Sequence, residues 1–269
     1  MADTTEEAEK LRLGGMALQN GLLVHGPTHW SAAIRAPDGE IEVASGRKPR
    51  LRGPVERVPG ARGVVRLAES MIVIPLVMRA LPQARLPFQN ATVLVAAVTA
   101  ALAGSQLRKR STGMGAEIGA AAISLAPSLV ALRGGDTAAY HGVEHKAIGA
   151  YEQGDGDARD ATKEHDRCGS HLIAPLLVAN LAGVALMRKL VKEPNAAAGG
   201  LVSLASLGVA VEVFLWSERN SETTAARALR KPGHELQRLL GTREPTEEQL
   251  EVGRAALDEI LLVENASAL

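Results

Sequence analysis

Between Leu86 and Leu107 the chain runs for 22 residues without a charge (LPFQNATVLVAAVTAALAGSQL), and Arg108-Lys109-Arg110 ends the run at once. A helix of that length reaches across the hydrocarbon core of a bilayer, ~30 Å thick. Three further blocks repeat the pattern. Ser111 to Leu132 holds one charge, Glu117, near its start. Cys168 to Met187 holds none and is followed by Arg188-Lys189, and Pro194 to Ser217 holds only Glu212. A surface helix would need a polar face along its length, so these blocks belong inside a large helical core or inside lipid. Their Gly, Ala and Ser content suits close helix contacts in lipid. Four transmembrane helices over 86–217 are expected in preference to the core of a soluble α-protein.

Composition conceals this pattern. The 269 residues carry 30 basic and 30 acidic side chains, 46% apolar residues, 2% aromatics and one Cys. Zero net charge speaks against a nucleic-acid partner, which needs a basic surface, and one Cys excludes an internal disulfide framework. The averages arise because apolar blocks alternate with charged segments.

Outside the four blocks the reading divides the chain further. Residues 1–63 read as a soluble N-terminal region. In it, Ser31–Arg35 and Glu40–Val43 flank the turn Ala36-Pro-Asp-Gly39, which predicts a β-hairpin. The first ten residues, MADTTEEAEK, are acidic and polar, so no signal peptide is expected. Residues 64–82 are interrupted by Arg66, Glu69, Arg79 and Pro75, which predicts an interfacial amphipathic helix rather than a span. Residues 218–269 read as a soluble C-terminal helical region, with an amphipathic helix after Pro245 as a surface for a protein partner. The fold class expected is therefore mainly α: a polytopic helical membrane protein with a small N-terminal β-hairpin or α+β region. Plasma-membrane localisation is expected. The short basic loops would be cytoplasmic by the positive-inside rule, but the long polar segments favour placing both termini and the 133–170 insertion there instead.

That insertion holds the chemistry. Four of the seven His residues and the only Cys lie between 141 and 171. Asp136 or Thr137 can cap a helix running AAYHGVEHKAIGAYEQ and stopping at Gly154. On it His141 and His145 share a face with Glu144 beside them. Two imidazoles at that spacing can close on one ion, and the carboxylate can take a proton from water there. His141-Gly-Val-Glu144-His145 is the H-x-x-E-H arrangement of inverted zincins. His165-Asp-Arg-Cys168 adds an imidazole and a thiol, so His141, His145, His165 and Cys168 form a ligand set for a divalent metal, best matched by Zn²⁺. Four filled positions would indicate a structural site, and an open catalytic site would need one of them to be unbound. Asp155 and Asp157 mimic the start of a calcium loop but lack its Gly and terminal Glu, and read as a solvated turn. His171 could face the site or a headgroup. Glu212 could be a ligand, an acceptor for a ligand His or a neutral core acid, and Glu117 is expected to snorkel.

The strings YHGVEHKAIGAYE (140–152) and HDRCGS (165–170) resemble the YqhQ-like family of bacterial integral membrane proteins, described as predicted metal-dependent enzymes of undetermined function. GGMALQNGLLVHGP (14–27), ARGVVRLAES (61–70), VAVEVF (209–214) and PGHELQRLLGTREPTEEQLEVGRAAL (232–257) agree in order. The resemblance implies signature positions at His141, Glu144, His145, His165, Arg167 and Cys168, with Glu212 as the acid of the last span. Departures are Asn20 in place of an acid, His25 as the nearby base, Asp166 in place of a usual Pro, and the additional His171.

Three functions follow as expectations. One is a membrane-embedded metal-dependent hydrolase acting on a small-molecule, lipid or peptide substrate. In it Glu144 is general base and Arg167 stabilises an oxyanion or binds a phosphate or carboxylate. Another is a scaffold or assembly factor with a purely structural metal. A transporter using Glu117 and Glu212 is weaker, since four spans are few and no internal repeat is visible.

Overall fold

A computed structural model describes residues 10–51, 53–111, 113–133, 135–154, 157–193 and 195–267. Gly134, Asp155, Pro194 and nearly all of the acidic N-terminal stretch lie outside the described residues.

The N-terminal region forms an antiparallel meander of β1 (Gly14–Ala17), β2 (Gly21–His25), β3 (His29–Arg35) and β4 (Ile41–Arg47), in that spatial order. The expected hairpin is β3–β4, turned at Gly39 with φ +93°, a conformation that a residue lacking Cβ adopts without strain. β2 carries no alternation to betray it, because it is buried on both faces, and β1 is only four residues long, two of them Gly. Leu22, Val24 and Ala33 face one side; Leu23, Trp30, Ala32 and Ile34 face the other.

Helices cover both sides. Over the first lie α5 (Asp136–Gln153) and α9 (Glu247–Ala266), which bring Tyr140, Val143, Leu250, Ala256 and Ile260 onto the sheet. Over the second lies α1 (Ala61–Ala80), with Val73 and Val77 inward and Leu67, Met71, Ile72 and Leu76 exposed. Each large aliphatic side chain so buried contributes about 1.5–3 kcal/mol. α9 begins in a capping box, with Thr246 and Gln249 satisfying each other's backbone N–H groups. The sequence reading set 1–63 and 218–269 apart as separate soluble regions, but the structure merges them into one layered unit. The apolar face of the C-terminal helix, expected to await a partner, is spent on the sheet.

Among the described residues, four helical stretches are long and apolar enough to cross a membrane: Ala91–Arg110, Met114–Leu132, Gly169–Leu190 and Ala197–Arg219. They comprise α2 (Ala91–Arg110), α3 (Met114–Ser124), α4 (Ala126–Leu132), α6 (Ile173–Leu190) and α7 (Ala196–Arg219). The second is broken at Leu125, just before Pro127. Only 11–17% of each stretch is buried within the chain, which decides between the two expectations: these are not core helices of a soluble protein. Small residues set their contacts. A Cβ on Gly183 would lie 2.7 Å from Val202, and one on Gly119 2.8 Å from Leu107. With four crossings the sheet, α5 and α9 gather at one end of the bundle.

The span acids depart from expectation. Glu117 does not snorkel. It is 6% exposed and clamped between Arg108 (2.9 Å) and Arg188 (2.6 Å) at the far end of the bundle. Glu212 makes a two-pronged pair with Arg62 (2.6 and 2.9 Å) and accepts the Gly60 N–H (2.8 Å), fastening the start of α1 to α7.

Candidate metal centre

The centre is assembled where α5, the loop before α6 and the segment after α8 (Thr224–Leu236) converge. α5 starts after Gly135 (φ +121°) and stops at Gly154 (φ +102°), so Asp136 and Thr137 lie inside its first turn rather than capping it. Residues Tyr140 to Ala150 are largely buried, which holds the H-x-x-E-H face immobile. Gly142 is needed for a close approach, because a Cβ there would strike the Arg243 carbonyl oxygen. Cys168 caps the 3-10 turn Gly169–Leu172, its Sγ accepting the Ser170 N–H at 3.5 Å.

His141, His145 and Cys168 are brought together with their ligand atoms all within 4.8 Å of one another. The His141 and His145 ring centroids are 4.3 Å apart. His141 Nδ1–H donates to the Gly241 carbonyl (2.7 Å) and His145 Nδ1–H to the Lys163 carbonyl (2.6 Å). A carbonyl only accepts, so both Nε2 atoms turn into the cluster, the arrangement ligand histidines adopt. His141 Nε2 lies 3.3 Å from Cys168 Sγ. His145 is 2% exposed, and its Nε2 is buried with no hydrogen-bond partner. An unmet buried ring nitrogen is costly unless something occupies the space before it. The donor set of two imidazole nitrogens and one sulfur fits a borderline-soft divalent ion and leaves a tetrahedral position open.

Burial and neighbouring groups set the two histidines apart. Burial, reinforced by the neighbouring His141, lowers His145 to about 2, so it stays neutral and able to ligate. Burial also pulls His141 down, but its hydrogen bond to Cys168, the charge there and Glu144 outweigh this and lift it to about 9. A metal must therefore displace a proton from His141. Burial raises the Glu144 carboxyl, against the pull of His141 and His165. Glu144 packs on β1, where a Cβ on Gly15 would lie 2.8 Å from Oε1. A carboxyl raised in this way holds its proton more readily than an exposed one.

His165 and Arg167 are placed differently from the sequence reading. The His165 ring is 5.7 Å from that of His145, but its Nδ1 accepts the Arg167 N–H (3.3 Å) and its Nε2 faces Glu152 (3.1 Å). Neither nitrogen turns to the cluster, so the expected four-ligand set becomes three. Arg167 is not free to meet an oxyanion: it pairs with Glu152, lies 3.9 Å from Glu218 and donates to the Leu13 carbonyl. Arg12 also pairs with Glu218. This ion network behind the site was not anticipated, although Glu152 stands two turns along α5 from His145 on the same face.

Lys146 was also missed. It is buried, donates to the Arg159 (3.0 Å) and Ala161 (2.8 Å) carbonyls and pairs with Glu244 (2.8 Å). With His145 it secures the loop leading to His165. His171 faces neither the cluster nor a headgroup. Its two nitrogens lie 3.0 Å from the Arg230 carbonyl and 3.3 Å from that of His165. His171, His234 and Asp166 form a second close group. There, His234 and Arg230 are bound to Asp166 and His171 Nε2 also faces the Gln237 amide (3.2 Å), so the group reads as a staple between the loop and α8. Asn20 serves the β1–β2 turn, bonding Arg35, Gln83 and Arg85, and His25 sits between Lys48 and Ser70.

Residues 136–263 match a family described as a protein of unknown function, DUF1385. The uncharacterized protein YqhQ of Bacillus subtilis (strain 168) is 30% identical over 135 residues, 48% of this chain and 41% of that protein. The match thus spans less than half of the relative's length. No solved structure matches the chain. The YqhQ-like resemblance drawn from the motifs holds, and the DUF1385 stretch contains the whole cluster.

Proposed function

We propose that this YqhQ-like chain is a metal-dependent hydrolase embedded in the plasma membrane, with His141, His145 and Cys168 holding a divalent ion of the zinc type. The observation that carries the reading is the buried, partnerless Nε2 of His145, facing His141 Nε2 and Cys168 Sγ. A bound ion there supplies Lewis acidity. Glu144 takes the proton from the attacking water and returns it to the leaving group, a task matched by its raised pKa. Arg167, held by Glu152, is a positioning residue: with Glu152 it sets the His165 loop that presents Cys168. The sheet, α5 and α9 lie on the cytoplasmic side in this reading.

The test is metal analysis of purified full-length protein, with one equivalent expected and its loss in His145→Ala. Wild-type protein that stays folded and metal-free after equilibration with zinc would refute it. Glu144→Gln then separates enzyme from scaffold. Retained metal with ester hydrolysis reduced ~10²–10⁴-fold supports general-base catalysis; unchanged turnover, or none in the wild type, supports a structural site. Three converging ligands rather than four favour the enzyme.

A further inference from the structure

A cavity of about 190 Å³ opens directly off the cluster. His141 and Cys168 form one end. Leu125, Leu129 and Leu132 of the second span form one wall, and Ile173 and Leu236 face them. Leu125 to Leu132 covers the last eight residues of that span, so the cavity extends ~10 Å along it. Engineered apolar cavities of ~150 Å³ already hold a benzene ring.

Its polar inventory is almost fully committed. The Gln237 side chain accepts the His165 N–H (2.8 Å) and donates to Ser170 Oγ (2.8 Å) and the His165 carbonyl (3.2 Å). The Gly241 carbonyl is taken by His141. A peptide would bring amide groups into this space with few partners to meet them, which is costly. An alkyl chain brings none.

We propose that this cavity receives the alkyl chain of a bilayer lipid and presents the lipid's polar junction to His141, His145 and Cys168. The proposal rests on the hydrolase reading for the identity of the reacting end, but the occupancy of the cavity does not depend on metal.

The experiment uses full-length protein in phosphatidylcholine nanodiscs doped with a phospholipid carrying a diazirine in its acyl chain, with labelled residues mapped after photolysis. Labelling is expected at Leu236 and Gly169 as well as at the outward-facing Leu94 and Leu186. Two variants fill the cavity from opposite walls: Ser128→Trp, and Gly169→Leu, where a Cβ meets open space. Each should remove most of the labelling of Leu236, since a side chain occupying the cavity excludes the acyl chain by van der Waals overlap. Labelling at Leu94 and Leu186 should not change.

Labelling confined to Leu94 and Leu186 in the wild type overturns the proposal. So does stronger labelling of Leu236 by a photoleucine-containing apolar tripeptide than by the lipid, which assigns the cavity to peptide. Metal content is measured on the same samples. A labelled cavity without metal sinks the hydrolase reading and leaves the lipid site standing; metal with an unlabelled cavity does the reverse.

Discussion

Replacing Gly142 by Ala tests how the backbone around α5 holds the cluster, without touching a ligand. The added methyl would collide with the Arg243 carbonyl oxygen and lie 3.6 Å from Pro245 Cδ. Relief to an ordinary van der Waals separation requires the 241–245 segment to retreat by ~1 Å. Overpacking of that size costs about 1–3 kcal/mol in the metal-free protein. The same retreat carries the Gly241 carbonyl away from His141. Their 2.7 Å hydrogen bond would stretch to ~3.7 Å, beyond the bonding range. Loss of the group that orients a ligand histidine weakens metal binding ~10–100-fold, or ~1.4–2.7 kcal/mol. Competition with a chromogenic chelator measures the affinity, and thermal melting of the metal-free protein measures the packing cost. Gly169→Ala, in open space beside Cys168, is the control and should change neither. A melting point that falls while metal affinity stays within twofold of wild type would refute the reasoning, because His141 would then not depend on the 241–245 segment.

Three further outcomes follow from groups outside the cluster. Burial, with Lys48 adding to it, lowers His25 to about 4, so the folded chain keeps it neutral while the unfolded chain protonates it below about 6.5. Stability is therefore lost as pH falls from 6.5 to 4, by at most ~3 kcal/mol, and His25→Gln should flatten that part of a denaturation–pH profile; an unchanged slope would show that His25 does not titrate there. Lys146→Met strips donors from the Arg159 and Ala161 carbonyls and should cost about 1–3 kcal/mol while speeding proteolysis in the 157–165 loop; equal cleavage rates would count against this anchoring. Glu212→Gln removes the charged partner of Arg62 and should raise tryptic cleavage at Arg57 and Arg62 without altering bound metal, whereas lost metal would link the last-span acid to the cluster after all.

The four spans were legible because charge exclusion from lipid is local: each block announces itself in some twenty residues, without reference to any partner. The pairing of His141, Glu144 and His145 was legible for the same reason, since helical periodicity places them on one face before any tertiary contact forms. The hairpin at Ala36–Gly39 declared itself through turn chemistry. β2 did not, because a strand buried on both faces loses the alternation that marks a strand, and β1 is too short to show one.

Tertiary structure decided the rest. Whether His165 is a ligand depends on which neighbour claims its nitrogens, and Glu152 together with the Arg167 backbone N–H claims both. The carbonyls of Gly241 and Lys163 aim His141 and His145, yet a carbonyl is common to all residues and leaves no trace in sequence. Glu117 and Glu212 stood out as costly charges in apolar runs, but only packing could supply Arg188 and Arg62 from distant helices. The amphipathic C-terminal helix shows the limit most plainly. Its apolar face required a cover, and the fold supplied one from the opposite end of the chain.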